Sequence, residues 1–515
     1  MTRQKSEDLV VPQGRRKAPP TELARGGKEV PVNEEMAQLG LPLATAENPK
    51  GASRRKDRNP SCARPSKAVP KASSKSSKTP SATMESVIEH LDEALVHVVR
   101  NKGAPGPNGR TVREVQQDWP RTSRRLAQSL WAGNYQPGAI RRVEIPKPGG
   151  GARDLGIPDV EDRVVQEALR LCLQPEFDPE FHASSHGFRP KRSCHTALAE
   201  AQKHVEAGHD WVVDLDLSKF FDRVNHQRLM ARVARKVQDH RLLALLGRLL
   251  KATVVMPEGL LVRTEEGVPQ GGPLSPLLSN VVLDELDREL DRRGHRFVRY
   301  ADDVAIFVRS ERAGERVMNS VTLFIEGRMR LKVNAKKSSV RRPHEGNFLG
   351  FRIRVMPDGT TEVQLSGRTM KRAFARIREL TPRNWGRTLT SCIAQVNRYF
   401  EGWFGFFGVC SPSAKHRLVK LDGRTRRRLR AIKLRQWKRK PTIVRRLNRM
   451  RRSKRVAVHV YRGRRSWWFL SNHNVVKHRL NNQWFRDQGF DALVDRLQAR
   501  ESAKVAPDQT SFGWR

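Results

Sequence analysis

The sequence has few cysteines, no long apolar run and a shortage of acidic residues. Its five cysteines form no CxxC pair, which indicates neither a disulfide framework nor a zinc finger, and we expect reduced, structural thiols at Cys62, Cys172, Cys194, Cys392 and Cys410. No window approaches the roughly 18 to 20 uninterrupted apolar residues of a membrane-spanning helix, and the N-terminus lacks the apolar core of a signal peptide. We therefore expect a cytosolic protein with no membrane partner.

The shortage of acidic residues leaves a large positive charge. The 515-residue chain carries 99 Lys and Arg against 54 Asp and Glu, a formal net charge of +45. This excess goes far beyond what solubility requires and favours a polyanionic partner, with nucleic acid as the leading candidate. The length allows two or three domains and at least one sizeable core.

Composition divides the chain into four regions. Residues 1–80 are rich in Lys, Arg, Ser, Pro and Ala, which predicts a disordered basic tail, either an arm on RNA or DNA or a solvated leader without a role. A helical period begins at Met84, and helical and strand-like segments then alternate to about residue 355, which predicts a mixed α+β body. Residues 362–440 are expected to be mostly helical, and 441–515 are basic with interleaved aromatic residues.

Two adjacent carboxylates interrupt the strand-like stretch RYADDVAIFV at 299–308. The flanking runs predict a β-hairpin with Asp302 and Asp303 at its tip. Asp is also an ordinary turn residue, so the pair alone indicates a turn more often than a site. A second stretch, WVVDLDLSKFFD, places Asp214 and Asp216 on one face of another predicted strand. Carboxylates gathered from two strands repel unless a hard divalent cation lies between them, and Mg²⁺ meets that requirement.

Several motifs resemble those of bacterial group II intron-encoded reverse transcriptases. They follow one another along the chain and cover nearly all of residues 84–355: NKGAPGPNG, EIPKPGGGARDLGIPD, HGFRPKRS, DLDLSKFFDRVNH, EGVPQGGPLSPLLSN, YADD, LKVNAKKS and FLGF. The resemblance implies a right-hand polymerase with fingers and palm at 84–355, a helical thumb and maturase domain at 362–440, and a basic RNA- or DNA-binding region at 441–515. It also implies a bacterial, nucleoprotein-associated enzyme.

The palm of this family implies that Asp216, Asp302 and Asp303 are catalytic and that, with the backbone carbonyl of Leu217, they bind two Mg²⁺ ions. Two such ions can activate a 3′ hydroxyl and stabilise the leaving pyrophosphate. Periodicity does not separate Asp214 from Asp216. The resemblance selects Asp216, because the aspartate of the family lies five residues before an aromatic residue.

That aromatic residue is Phe221. In reverse transcriptases a bulky ring at this place lies under the sugar of the incoming nucleotide, where a 2′ hydroxyl would clash. The resemblance therefore implies dNTPs rather than rNTPs as substrates. The alternative is a core phenylalanine in the strand-like FF pair.

The glycine-rich segment PKPGGGARDLGIP resembles the fingertip that closes over the triphosphate, although by itself it fits a plain hairpin turn. Lys147 and Arg153 match its basic positions, where Arg can bind phosphate oxygens bidentately and Lys supplies a point charge. Gln270 matches the glutamine that lines the nucleotide pocket. Gly271 and Gly272 would let the backbone approach the base pair closely. Lys337 is a weaker candidate for protonating pyrophosphate and is otherwise a surface lysine.

On the template side, Arg189 in HGFRP and the turn at Leu349 and Gly350 resemble template-binding and primer-gripping positions. The sequence departs from the usual motifs in two places. Asn108 stands where the family often has Asp, and His186 replaces a frequent Tyr. Neither departure touches the predicted catalytic residues, and both bear on fingertip geometry only.

The C-terminal half combines Arg-rich helical stretches with aromatic residues. A charge run is usually a solvated face, but this density of Arg favours an anionic ligand, and the resemblance implies a thumb and maturase surface that bind RNA. NRYFEGWFGFFGVC predicts a packing face. Trp467, Trp468 and Trp484 fit either base stacking or a core. No cysteine and histidine spacing after residue 440 indicates an HNH endonuclease, and the short ending resembles class C members.

The leading interpretation is an RNA-directed DNA polymerase that also binds its intron RNA to assist splicing and retrohoming. Its expected partners are group II intron RNA or another RNA template, a DNA primer and target, and dNTPs. Two alternatives remain open: a domesticated or defence-associated relative without an intron, and an RNA-binding maturase without polymerase activity. The oligomeric state is not predicted.

Overall fold

The computed structural model describes residues 82–146, 152–382, 386–451, 455–461 and 466–505. The predicted basic tail, Lys147 and Cys62 lie outside the described residues. The other four cysteines are free and buried, as expected. No helix in the described ranges is long and apolar enough to span a bilayer.

The helical period that starts at Met84 forms two consecutive helices that meet at His90. The Thr83 side chain caps the first by accepting a hydrogen bond from the Ser86 backbone N–H. The helices of this N-terminal part are α1 (Met84–Glu89), α2 (Leu91–Arg100), α3 (Val112–Gln117), α4 (Trp119–Trp131) and α5 (Val160–Phe177). The long helix α5 packs against α1, α2 and α3.

A first sheet has the order β2-β1-β4-β5, and its members are β1 (Ile140–Pro146), β2 (Ala152–Ile157), β4 (Val254–Val255) and β5 (Leu261–Val262). Strands β1 and β2 are antiparallel, as a hairpin in this segment requires, and flank the glycine-rich stretch whose fingertip role stays a prediction. The segment that joins them, 147–151, is outside the described residues.

The second sheet carries the acidic motifs and has the order β6-β7-β3-β8, with all pairs antiparallel. Its strands are β3 (Trp211–Asp216), β6 (Arg296–Tyr300), β7 (Asp303–Val308) and β8 (Ser339–Arg341). Alternation along β3 buries Val213 and Leu215 on the core side, so Asp214 and Asp216 share the opposite face. The period-two prediction for these two acids is confirmed.

The next five helices include members that pack on each face of this sheet. They are α6 (Cys194–Glu206), α7 (His226–Val233), α8 (His240–Leu250), α9 (Ser275–Arg292) and α10 (Glu311–Leu323). Helix α6 packs on β6, and α10 packs on β3, β7 and β8. A single π-helical turn, Phe324–Arg328, follows α10.

The remainder of the chain is mostly helical, as predicted, but it begins with a hairpin rather than a helix. Strands β9 (Phe351–Val355) and β10 (Thr361–Leu365) pair antiparallel, because the Asp358-Gly359 turn reverses the chain between two β-prone runs. The helices that follow are α11 (Gly367–Leu380), α12 (Leu389–Phe407), α13 (Lys415–Gln436), α14 (Lys440–Met450), α15 (Arg455–Tyr461), α16 (Trp467–Leu470), α17 (Asn474–Arg479), α18 (Asn482–Asp487) and α19 (Leu493–Val505).

The aromatic helix α12 packs inward, as the sequence predicts. Phe400, Trp403 and Phe406 are buried, and the ring of Phe406 also contacts Phe351 of β9 at a centroid distance of 5.8 Å. The helix therefore joins the β9–β10 hairpin to the C-terminal helices.

One buried carboxylate links α13 to the last helix. Asp422 is fully buried, and its two oxygens accept hydrogen bonds from the Leu493 and Val494 backbone N–H groups, each at 3.1 Å. These N–H groups belong to the first turn of α19, where no intrahelical acceptor exists. Asp422 thus caps α19 from a distant helix.

We expect Asp422→Ala to lower the free energy of unfolding by about 2 to 4 kcal/mol, because it leaves two N–H groups without their acceptor. Denaturant unfolding of the full chain measures the loss. Glu315→Ala, on the exposed face of α10, is the control and should change stability by less than about 0.5 kcal/mol. Equal effects of the two changes would contradict the capping role.

Candidate active site

The strand register brings the two acidic motifs face to face. In the β3–β7 pair Asp216 lies directly opposite Asp303, and Asp302 immediately precedes Asp303 in the turn. Residues directly opposite in an antiparallel pair have Cβ atoms about 4.5 to 5.5 Å apart. Backbone pairing alone therefore holds carboxylates from two separate motifs close together.

The hairpin differs in one detail from the sequence expectation, which put both acids at the tip. Asp303 is the first residue of β7 and pairs with Tyr300, so the turn consists of Ala301 and Asp302. Ala301 takes the left-handed conformation, with φ of +55°. The ladder continues one residue further than predicted because this conformation reverses the chain within two residues.

The structure distinguishes the two acids of β3 by their partners. Asp214 forms an ion pair with Arg341 of β8. Asp216 instead faces Lys337, whose Nζ lies 3.2 Å from Asp216 Oδ2 and whose side chain is 65% exposed. The charge of Asp214 is thus balanced by an arginine within the sheet. The partner of Asp216 is a lysine with a flexible, solvent-exposed side chain, which a ligand can displace.

Backbone contacts fix the position of Asp216. Its N–H donates to Ser338 Oγ at 3.1 Å, and its carbonyl accepts from the Asn334 N–H at 2.8 Å. The next residue, Leu217, forms a bridge with Val333. The NAKKS turn therefore clamps the end of β3 and delivers Lys337 to it.

Burial, and after it the proximity of other carboxylates, raises the pKa of Asp302 and of Asp303. Asp303 reaches solvent on one side, but protein surrounds it on the others, and this desolvation raises the pKa of Asp303 to about 7. Repulsion from the neighbouring acids Asp302, Asp214 and Asp216 adds to that rise. Burial likewise raises the pKa of Asp302, while Arg153 and Lys337 oppose the change.

This donor set fits magnesium. The three carboxylates, and the Leu217 carbonyl that the sequence predicts as a fourth ligand, are hard oxygen donors of the kind that Mg²⁺ prefers. Across the described residues, no three His, Cys, Asp or Glu side chains already converge as a metal cage. Lys337 occupies the cation position at Asp216 instead.

Phe221 and its neighbour occupy different environments. Phe220 is 3% exposed and belongs to the core, whereas Phe221 is half-buried at the surface of that core. The Phe221 carbonyl accepts from the Val268 N–H at 2.7 Å, which joins this turn to the PQGG segment. The core alternative thus describes Phe220, and the sugar-contacting role of Phe221 stays a prediction.

The fingertip and the PQGG loop meet through Arg153 and Gln270. Arg153 Nε donates to Gln270 Oε1 at 3.1 Å, and the Gln270 carbonyl accepts from the Gly156 N–H at 2.6 Å. Gly271 has φ of +122°, and a Cβ there would lie 2.3 Å from the Gly156 carbonyl oxygen. The contact with β2 requires glycine at this position, and the approach of the backbone to a base pair stays a prediction.

Arg189 is turned inward. Its side chain is 6% exposed and donates to Asp178 and to the carbonyls of Phe181, His182 and Ser185. In this conformation the guanidinium organises the loop that follows α5, and template binding by Arg189 stays a prediction. Lys147 lies outside the described residues.

The turn assigned to primer gripping is present. Leu349 and Gly350 both have positive φ, +51° and +88°, and a Cβ on Gly350 would lie 2.9 Å from the Phe407 ring. Only glycine fits the second position, because the hairpin lies against α12 there. Contact of this turn with a primer stays a prediction.

The departures from the usual motifs are accommodated locally. His186 is buried, and its ring nitrogens lie 2.7 Å from Glu200 and 2.8 Å from Thr196. The Asn108 N–H donates to Asp159 at 3.1 Å. Both residues therefore have protein partners away from the acidic cluster.

Sequence reasoning missed a buried polar cluster beneath the hairpin, centred on Arg299, Asp287 and Asn280, each with no exposed surface. A signal was available, because a charged residue inside the strand-like run RFVRY predicts a buried partner. The partners themselves lie on α9 and were not identifiable from local pattern.

The sheet brings Asp216 and Asp303 together with Asp302 in the adjoining turn. A β1–β2 hairpin precedes this sheet in the chain and a mostly helical region follows it. This arrangement is that of a template-directed nucleotidyltransferase. The family models agree: residues 145–353 match "Reverse transcriptase (RNA-dependent DNA polymerase)" and residues 370–453 match "Group II intron, maturase-specific domain". The chain belongs to the reverse transcriptase family, and within it to the group II intron type.

Individual relatives agree with this placement. The chain is 34% identical over 306 residues to "Protein YkfC" of Escherichia coli K12, covering 52% of this chain and 80% of that protein. It is 30% identical over 317 residues to "Group II intron-encoded protein LtrA" of Lactococcus lactis, covering 49% of this chain and about half, 52%, of LtrA. A solved "Partial Cas6-RT-Cas1--Cas2 complex" matches 47% of this chain and 42% of that chain at 23% identity and a TM-score of 0.32, too low to carry an argument.

We expect Asp303→Asn to stabilise the metal-free protein, by about 1 to 3 °C in Tm at pH 8. The pKa of Asp303 is about 7 in the fold and about 4 when unfolded, so the folded state holds a proton that the unfolded chain releases between these values. Parent stability therefore falls as pH rises from about 4 to about 7, and the variant lacks this fall.

Thermal unfolding in EDTA at pH 5 and pH 8 measures the difference, which should be larger at pH 8. The matched control is Asp487→Asn on exposed α18, which should give no pH-dependent difference. A destabilised Asp303→Asn protein at pH 8 would show that the cluster is not electrostatically strained.

Proposed function

We propose that this chain is an RNA-directed DNA polymerase that adds dNTPs to a DNA primer paired with an RNA template. The observation that carries the proposal is the register of β3 and β7, which opposes Asp216 and Asp303 with Asp302 in the adjoining turn. The proposed ligands of two Mg²⁺ ions are these three carboxylates and the Leu217 carbonyl. When bound, the ions would make the 3′ hydroxyl more acidic and would stabilise the negative charge of the leaving pyrophosphate.

The surrounding residues complete the proposed chemistry. Arg153, on the fingertip strand and electrostatically coupled to Asp302, is placed to bind the triphosphate and to stabilise charge that develops on it. Lys337 would leave Asp216 when the site is occupied, and its ammonium can then donate a proton or a hydrogen bond to pyrophosphate. Gln270 links both sides of the pocket and orients Arg153 through their hydrogen bond.

The half-buried ring of Phe221 supports discrimination by sugar. It lies beyond the end of β3 and is held by the Val268 hydrogen bond, so its position relative to Asp216 is fixed by backbone contacts. A rigid ring at this place excludes a 2′ hydroxyl by steric contact rather than by a hydrogen bond. We therefore propose dNTPs as the substrates.

We further propose that helices α11 to α14, the region matched by the maturase-specific model, bind group II intron RNA and assist splicing and retrohoming. Helix α13 buries one apolar side through Leu418, Leu421 and Leu429 and exposes basic side chains on the other. Arg427 lies over the Trp468 ring at 3.9 Å, a pair that joins α13 to α16. The exposed basic face matches the shape-directed backbone recognition of structured RNA.

The aromatic residues of the last region occupy intermediate positions. Trp467, Trp468 and Trp484 are each half-buried, and Trp484 packs edge-on against buried Phe485 at 4.9 Å. They are neither wholly core nor wholly exposed, and base stacking by these rings remains part of the proposal.

We expect Asp302→Ala to reduce extension of a labelled DNA primer on an RNA template by at least about 100-fold, because the variant lacks a carboxylate that holds the reacting groups. Primer–template affinity should stay within about threefold. The matched control is Asp214→Asn, on the same face of β3 but paired with Arg341, which should retain at least about a tenth of parental activity.

A parent protein that binds the duplex and extends no primer with Mg²⁺ and dNTPs would favour the RNA-binding alternative without polymerase activity. Equal losses in both Asp variants would instead contradict the assignment of Asp216 over Asp214. Folded RNA domains in the DNA that flanks the gene would separate an intron partner from an intron-free relative.

We expect Phe221→Ala to raise the ratio of rNTP to dNTP incorporation, as kcat/KM, by about tenfold or more, since the ring no longer contacts the 2′ position. Single-nucleotide incorporation with each substrate measures the ratio. Phe220→Leu is the control: it should lower stability through its core position without changing sugar discrimination. An unchanged ratio for Phe221→Ala would remove the steric argument.

A further inference from the structure

Arg299 is a fully buried cation directly beneath the acidic turn, and every one of its N–H groups has a partner. Nε and one NH2 proton bind the two oxygens of Asp287 at 2.7 and 2.5 Å. The remaining donors reach Asn280 Oδ1 at 2.9 Å, the Ala301 carbonyl at 3.0 Å and Ser185 Oγ at 2.7 Å. Both members of the Arg299–Asp287 pair have no exposed side-chain surface.

These contacts join three separate pieces of the fold. Asp287 and Asn280 lie on α9, Ser185 lies in the loop after α5, and Arg299 and Ala301 belong to the hairpin. Asn280 also donates to the Gly187 carbonyl at 2.9 Å. We call the three side chains of Arg299, Asp287 and Asn280 the turn clamp.

The loop after α5 lies against the back of the turn. The Arg299 N–H donates to the Ser184 carbonyl at 2.8 Å, and the Arg299 carbonyl accepts from the His186 N–H at 2.9 Å. A Cβ on Gly187 would lie 2.2 Å from the Ala301 nitrogen. The loop therefore holds the turn from behind, and at Gly187 the two backbones approach closely.

The clamp acts on the peptide that carries Asp302. Ala301 has φ of +55°, a conformation that costs a residue with a side chain about 1 to 2 kcal/mol. Its carbonyl oxygen, which Arg299 binds, belongs to the peptide plane between Ala301 and Asp302. The orientation of that plane sets the direction in which the Asp302 side chain leaves the backbone.

Stability does not explain such a cluster well. A buried ion pair is often no more stabilising than apolar residues of similar size, because desolvation offsets the attraction. A cluster that fixes the orientation of a metal-binding carboxylate contributes to metal affinity instead. Removing a contact that orients a metal ligand typically lowers metal affinity or activity about 10- to 100-fold.

We propose that Arg299 is a positioning residue for the acidic site. Through its bond to the Ala301 carbonyl, with Asp287 and Asn280 as anchors, it fixes the turn that carries Asp302, next to the opposed pair Asp216 and Asp303, before any cation or nucleotide binds. This inference rests on the proposed function, because it assigns Arg299 a part in the same site.

The main test compares Arg299→Lys with Ser185→Ala in the full-length protein. Lysine keeps the charge beside Asp287 but has no planar fork to reach the Ala301 carbonyl as well. Ser185→Ala takes away one Arg299 partner and leaves the Asp287 and Ala301 bonds in place. Both variants lose buried hydrogen bonds, one in Ser185→Ala and at least two in Arg299→Lys, so Tm should fall in both and further in Arg299→Lys.

Direct Mn²⁺ binding, followed by electron paramagnetic resonance without substrate, is the first measurement. Arg299→Lys should weaken the affinity about tenfold or more, and Ser185→Ala should change it less than about twofold. In primer extension, Arg299→Lys should lower kcat about 100-fold while the KM for dNTP changes less than about threefold, because the triphosphate contacts stay intact.

If Arg299→Lys does not fold, Asp287→Asn replaces it, since this variant keeps Arg299 and removes the anchor charge; a Mn²⁺ affinity reduced about threefold or more is then expected. If the folded Arg299→Lys or Asp287→Asn protein binds Mn²⁺ as tightly as the parent protein does, Arg299 has no positioning role. A parent protein that neither binds Mn²⁺ nor extends a primer would refute the proposed function itself, which keeps the two failures distinct.

Discussion

The candidate site depends on one constraint: the register of two paired strands holds acidic side chains of like charge close together. Pairing of β3 with β7 places Asp216 opposite Asp303 whatever the side chains prefer. Desolvation, and after it repulsion from the neighbouring acids, makes this arrangement costly and raises the pKa of Asp303 to about 7. Backbone hydrogen bonds along the two strands offset that cost, as do the cations of Lys337 and Arg341. A sheet is suited to this task because its main-chain bonds do not depend on the residues that the site requires.

The neighbouring segments are attached to this register by backbone contacts rather than by long side chains. The Asn334 N–H binds the Asp216 carbonyl, the Val268 N–H binds the Phe221 carbonyl, and the Gly156 N–H binds the Gln270 carbonyl. Glycine at 271 permits the last of these contacts. Fingertip, PQGG loop and NAKKS turn are therefore positioned before any substrate arrives, which is the preorganisation that phosphoryl chemistry benefits from.

Much of the fold was predictable, because local patterns carry it. The alternation in WVVDLD predicted β3 and the shared face of Asp214 and Asp216, and the helical periods predicted the start at Met84 and the packing face of α12. The hairpin around Asp302 was also predicted, although Asp303 proved to be a strand residue. Family resemblance, now supported by two family models, supplied the order of the motifs.

What the sequence could not supply are contacts between distant segments. Nothing local separates Asp214 from Asp216; the distinction comes from Arg341 and Lys337, more than a hundred residues away in the chain. The inward orientation of Arg189 and the five bonds of Arg299 likewise depend on loops and helices whose positions follow from packing. Residue type indicates that a buried charge needs partners, but only tertiary structure identifies them.

The most direct measurement is a crystal structure of the protein with RNA template, DNA primer, a non-hydrolysable dNTP and Mn²⁺, in which anomalous scattering locates the ions. The account predicts Mn²⁺ peaks within bonding distance of Asp216, Asp302 and Asp303, with Lys337 displaced from Asp216. Ions bound elsewhere, with Lys337 still paired to Asp216 beside a seated nucleotide, would contradict it.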